Sequence, residues 1–148
     1  MISTPVDEAI VSAPLNFQIT EIVILESTLG PVEDELPDDI TYNFAFEVSH
    51  IVNLESGVIK IVVKVIVRNA TTQKQYAIVG VGFSYQVDNI KQHPLENGKI
   101  PRSKMVPLNM ASLSTTRGIF YSMVRGTFLH RALMPIVQAD MFSPVNES

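Results

Sequence analysis

"VIKIVVKVIVRNATTQKQYAIVGVGFSYQV", residues 58–87, decides the fold. In its first half Ile59, Ile61, Val63, Val65 and Val67 share one parity, while Lys60, Lys64 and Arg68 take the other together with Val62 and Ile66. Side chains of an extended chain alternate between faces, so this is a strand with one face in a core. After the polar turn "ATTQKQ" the alternation resumes, with Ala77, Val79, Val81, Phe83, Tyr85 and Val87 on one parity. Two such strands joined by a short polar turn make an antiparallel pair. Gly80 and Gly82 lie on the opposite parity and suggest a bulge, or a place where another backbone or subunit comes close. A phosphate-binding glycine loop is the alternative. It lacks the helix that should follow and the lysine that should meet the phosphate.

Upstream, "NLESGVI" puts Gly57 at a turn, and "TYNFAFEVSHIVNL" before it alternates cleanly. Tyr42, Phe44, Phe46, Val48 and Val52 point one way; Asn43, Glu47 and Ser49 point the other. That is a half-buried antiparallel strand. In "NFQITEIVILESTL", Phe17, Ile19, Val23 and Leu25 share a parity interrupted by Glu21, and Ile22 and Ile24 take the other. This predicts a first strand whose far half is apolar on both faces. The five carboxylates of "GPVEDELPDD" form a solvated loop between the two. They stand in blocks, whereas calcium loops alternate their oxygen ligands around a glycine. Residues 1–14, broken by Pro5 and Pro14, read as a flexible arm.

Downstream, Pro94, Gly98, Pro101 and Pro107 punctuate residues 88–110, which predicts a long crossover loop. Its Ile90, Leu95, Ile100, Met105, Leu108 and Met110 either tuck under the domain or line a groove. "ASLSTTRGIFYSMVRGTF" then has helical spacing, with Thr116, Phe120, Val124 and Phe128 at i, i+4. Ser112 or Ser114 is the expected cap, and Gly126 a place to stop. The order predicts an α+β domain over residues 15–142: a four-stranded antiparallel sheet, a long crossover loop and one main helix packed on one face. A short tail, 143–148, follows.

Charged residues make up 18% of the 148, against a usual fraction of about 25%. Mean hydropathy is +0.21. Such a domain is expected to expose apolar surface and to oligomerise. A net charge of -4 argues against nucleic-acid binding. The absence of cysteine excludes disulfides and thiolate zinc sites. No apolar run approaches the about 18 residues of a membrane span. Asp7 and Glu8, with no lysine or arginine near them, do not suit a signal peptide, so a cytoplasmic location is expected. Of the histidines, His50 sits at an inward strand position, while His93 and His130 are expected in water. No nucleophile elbow, paired catalytic carboxylates or metal-ligand set is recognisable, so neither enzymatic activity nor a cofactor or metal is expected.

The end of the chain carries a resemblance. "RGTFLHRALMPIVQADMF", residues 125–142, resembles the segment after the first long helix of SecB export chaperones. Arg125-Gly126-Thr127-Phe128 matches the family's Arg-Gly-Thr-Phe, and Phe128, Pro135 and Phe142 keep its spacing of seven and seven. Phe17-Gln18-Ile19 matches the family's opening strand. The likeness spans roughly Leu15 to Phe142 and looks better to divergent SecB-like proteins, since the chain ends six residues after Phe142.

That resemblance implies a homotetramer, a dimer of dimers, holding unfolded or client polypeptide without ATP in apolar grooves between the crossover loop and the post-helix segment. The implied groove residues are Phe83, Tyr85, Leu95, Ile100, Met105, Leu108, Leu129, Leu133, Met134 and Ile136. Met105, Met110, Met134 and Met141 suit an adaptable surface, or else pack the core. Of the acidic sheet positions with which the family holds the SecA motor, Glu26 fits, while the next falls on Gly30; a SecA contact is therefore not the expected partnership. Two other readings remain open. One is a dedicated module for a single partner, such as a toxin–antitoxin client. The other is a small-molecule-binding α+β cone, whose mark would be a closed pocket with a buried polar pair.

Overall fold

A computed structural model describes residues 14–30 and 40–136. Four strands and one long helix follow in order: β1 (Phe17–Leu29), β2 (Tyr42–Asn53), β3 (Val58–Asn69), β4 (Gln75–Val87), a short 3-10 turn (Ile90–Gln92) and α1 (Arg102–Val124). The sheet is antiparallel throughout, in the order β1-β4-β3-β2. The expected α+β architecture is what the chain adopts. The arm before Pro14, the acidic loop over 31–39 with its calcium alternative, and the tail over 143–148 lie outside the described residues.

Both hairpins start on asparagine. Asn53 Oδ1 accepts from the N–H groups of Glu55 and Ser56, each at 3.1 Å. Asn69 Oδ1 accepts from Thr71 at 2.8 Å and Thr72 at 3.0 Å, and its Nδ2 donates to the Tyr76 hydroxyl at 3.0 Å. These side chains imitate a backbone turn and fix register at its first residue. Gly57 has φ +72°, and a Cβ there would meet the Val87 carbonyl oxygen at 2.7 Å, so the turn requires glycine twice over.

The central strands build the core. Ile59, Ile61, Val63, Val65 and Val67 pack beside Ala77, Val79, Val81, Phe83, Tyr85 and Val87, all essentially inaccessible. On β2 the same face carries Val48 and His50, both buried. β1 departs from simple alternation. Its register against β4 shifts between Ile19 and Glu21 and again between Ile24 and Glu26. The first bulge turns Glu21 away from the core face and brings Ile22 and Ile24 onto it, opposite Phe83 and Val81. The second leaves Leu25 lying over Gly82, where a Cβ would approach Leu25 Cδ1 to 3.2 Å. The paired glycines of β4 therefore answer a bulge in the neighbouring strand.

The helix begins earlier than its spacing suggested, at Arg102. Pro107 lies inside it, so Met105 and Leu108 belong to the helix and the crossover is confined to 88–101. A proline there removes one N–H bond without ending the helix, because its ring clash falls on the first turn. Neither expected serine caps the start: Pro101 holds that position without a side-chain bond, Ser112 is buried mid-helix and Ser114 faces out.

Met105, Leu108, Leu113, Phe120 and Val124 face the sheet, and between them sit Asn109, Ser112 and Thr116, also buried. Each of the three side chains makes a hydrogen bond, although Asn109 Nδ2 stays buried without a partner among the described residues. Ser112 Oγ donates to the Leu108 carbonyl at 2.9 Å and lies 2.6 Å from the Tyr85 hydroxyl; Thr116 Oγ1 donates to the Ser112 carbonyl at 2.7 Å. Burial raises the Tyr85 pKa, with the Ser112 hydrogen bond opposing, so the phenol stays a neutral donor. His50 Nε2 meets Asn109 Oδ1 at 2.6 Å, which ties β2 to the middle of the helix. Replacing His50 by leucine leaves that amide oxygen buried without a donor, and should cost about 1–3 kcal/mol. The His50→Leu/Asn109→Leu double variant should cost less than the two single variants summed, as read from urea unfolding midpoints.

His93 is not solvated as expected but buried at the base of the crossover. Asn89 Nδ2 donates to His93 Nε2 at 3.0 Å, while Asn89 Oδ1 accepts from the N–H of Asn16 at 2.8 Å. One asparagine thus joins the entry to β1 and the start of the crossover. Burial first, then the charge of Lys104, lowers the His93 pKa below 6.5. The unfolded chain therefore binds the extra proton more readily than the fold, and stability should fall as pH drops below about 6.5. Melting temperature should decline as pH drops below about 6.5, and the decline should be shallower in His93→Gln.

Candidate functional site

The post-helix segment is shaped by the Arg-Gly-Thr-Phe sequence itself. Gly126 takes φ +77°, in the left-handed region that favours glycine, and turns the chain off the helix axis. Thr127 Oγ1 donates to the Val124 carbonyl at 2.6 Å and accepts from the Leu129 N–H at 3.1 Å, so one hydroxyl closes the helix and starts the next turn. Phe128 meets Tyr76 edge to face at 6.0 Å between ring centres. Leu129, Ala132 and Met134 are buried, which pins the returning chain beside the helix. Arg117 completes the attachment: its Nε donates to the Met134 carbonyl at 2.8 Å.

Two adjoining depressions remain between the helix and this returning strap. The larger, about 370 Å³, is lined by Ser114, Arg117, Gly118, Phe120, Tyr121, Ala132, Leu133 and Met134. The smaller, about 180 Å³, is lined by Leu113, Ser114, Arg117, Met134, Pro135 and Ile136. Ser114, Arg117 and Met134 belong to both, so the two form one groove with Arg117 at its middle. Leu133 and Ile136 stand 61% and 83% exposed on its rim, with Tyr121 opposite at 54%. Gly118 keeps the helix side low, since a Cβ there would touch nothing within 4 Å.

Of the implied residues, Leu133, Met134 and Ile136 line this groove, which runs between the helix and the strap and not, as implied, between the crossover loop and the post-helix segment. The others lie elsewhere. Phe83, Tyr85, Met105 and Leu108 fill the core between sheet and helix, Ile100 is buried where the crossover meets the helix, and Leu129 is buried in the strap. Leu95 is exposed on the crossover loop, outside both depressions. Met110 is exposed on the helix, and Met141 lies outside the described residues. Glu26 is exposed on the outer sheet face opposite Gly80. Sequence reasoning missed Ser114, Arg117, Gly118 and Tyr121; Ser114, Gly118 and Tyr121 share an outward i, i+4, i+7 row on the helix, whereas Arg117 carries no such signal.

A second apolar surface lies on β1, an edge strand. The run Ile22, Val23, Ile24 and Leu25 is between 39% and 58% exposed, spread over both faces. Of the polar pair that a ligand-binding cone would want, His50 and Asn109 are indeed buried together, but neither depression includes them. Among the described residues no cluster of three metal-ligating side chains occurs, and no helix is long and apolar enough to cross a membrane.

No protein-family model matches the chain, and no curated protein matches it by sequence. Solved structures do. One is a SecB-like chaperone from Mycobacterium tuberculosis, in complex with a ChAD peptide from the HigA1 antitoxin. It superposes with a TM-score of 0.58 at 14% identity, over 82% of this chain and 89% of that one. Another is a protein of unknown function from Streptococcus agalactiae, with a TM-score of 0.42 at 11% identity, over 85% of this chain and 98% of that one. The first likeness establishes a distant SecB-like fold for this chain.

Proposed function

We propose that this protein is an ATP-independent chaperone that holds non-native polypeptide, and that it is not an enzyme. The observation that carries this reading is an open apolar groove on a SecB-like fold, edged by Leu133, Ile136 and Tyr121. A groove of that kind suits reversible contact with extended chain, since apolar burial is non-directional and tolerates varied side chains. The Mycobacterium tuberculosis neighbour, solved with an antitoxin peptide, favours a second form of the same reading, in which one dedicated client takes the place of many. The working location proposed is the cytoplasm, and no SecA contact is part of the proposal. Mixed at equimolar ratio with several aggregation-prone unfolded proteins, the chaperone should keep their light scattering low. Suppression for none of them, with a single stoichiometric partner recovered from cells, would replace general holding by dedicated binding. The absence of both would overturn the proposal.

The proposed assembly is a homo-oligomer, with a tetramer as the family-like expectation, and β1 is the edge on which it would build. An apolar edge strand of 13 residues invites pairing with another chain. Ile22 and Ile24 face the helix side but are about half exposed, so lysines there should leave the monomer folded. In Ile22→Lys/Ile24→Lys, sedimentation should show the assembly falling to smaller species, with the far-ultraviolet circular dichroism unchanged.

A further inference from the structure

We infer that Arg117 makes the groove selective for a polypeptide segment carrying a carboxylate beside its apolar residues. This deepens the client-holding reading and rests on it. Arg117 lines both halves of the groove, and among the described residues its one hydrogen bond is Nε to the Met134 carbonyl. That bond orients the guanidinium of Arg117, which is exposed, and leaves its Nη groups as donors at the open side of the groove. A guanidinium so held is suited to a carboxylate fork, which takes two parallel N–H bonds.

The charge of the surrounding layer agrees. From Asn97 to Ile136 the sequence holds six Lys or Arg and no Asp or Glu. The whole chain has 11 Lys and Arg and 15 Asp and Glu, so the remainder carries five basic residues against 15 acidic ones. The helix and strap thus attract an anion locally, while the remainder repels a long polyanion. A lone arginine between Leu133, Met134, Ile136 and Tyr121 fits one carboxylate on an apolar peptide better than a nucleic-acid backbone, which needs a row of cations. Sequences in which a glutamate or aspartate interrupts an aliphatic run are the segments this groove would select.

The test uses the full chain and three fluorescent peptides, identical in an apolar sequence except for a central Glu, Gln or Lys, with affinity read by anisotropy. The Glu peptide should bind about threefold to tenfold tighter than the Gln peptide at low ionic strength. The advantage should shrink towards none near 1 M salt, where the screening length is about 3 Å. Arg117→Glu should reverse the order so that the Lys peptide binds best, a reversal that loss of the Met134 tether alone does not produce. Should that variant fail to fold, the peptide series on the unaltered protein decides by itself. Equal binding of all three peptides overturns the selectivity while leaving client holding intact; binding of none overturns client holding as well. A folded Arg117→Glu chain with altered sedimentation would mean that another copy fills the groove, and would also overturn the inference.

Discussion

One helix cannot cover four strands. An α-helix with its side chains is about 10 Å across, whereas neighbouring strands stand about 4.8 Å apart, so a single helix shields little more than two of them. Here it lies over the central pair and reaches β2 through His50 and Phe44, the latter edge to face with Phe120 at 5.7 Å. The remaining inner surface is met in two ways. Past Gly126 the chain returns as a strap that buries Leu129, Ala132 and Met134, and the gap between strap and helix becomes the groove. At β1 Ile22 and Ile24 stay about half exposed, and the edge stays apolar. Both candidate interaction surfaces therefore follow from one shortage of cover.

The helix is held in place by more than apolar burial. A smooth greasy stripe would allow it to slide along the sheet, because dispersion contacts are individually weak and non-directional. Asn109 on His50 and Ser112 on Tyr85 allow only one axial position, since any shift leaves buried polar groups without partners. That fixed position matters to the groove, whose helix wall is the opposite side of the same turns.

The sheet was legible where strands pair without interruption. β2, β3 and β4 alternate as read, and their turns fall on the expected residues. β1 was legible as a strand but not in its facing, because a bulge resets parity without leaving a distinctive residue: Glu21 looked like an intrusion into a core row and is instead the point where the row changes sides. Pro107 hid the first turns of the helix, and so placed Met105 and Leu108 in a loop. His93 was read from its neighbour Pro94, but a contact with Asn89 draws it inside. Of the residues that line the depressions, Leu133, Met134 and Ile136 are ones the family resemblance names. Arg117 was not legible, because its role depends on a chain reversal 17 residues later that local spacing does not record.

The asparagine that opens the β3–β4 turn has a consequence for modification. Asn69-Ala70-Thr71 spells the acceptor sequence for N-linked glycosylation, and the atom that receives the sugar is the amide nitrogen. In this fold that nitrogen donates to the Tyr76 hydroxyl while the amide oxygen holds two backbone N–H groups. A glycan attached there would have to displace the tyrosine and open the turn. Once β3 and β4 have paired, the hairpin keeps its own acceptor closed to the oligosaccharide-transferring machinery, whichever compartment the chain passes through.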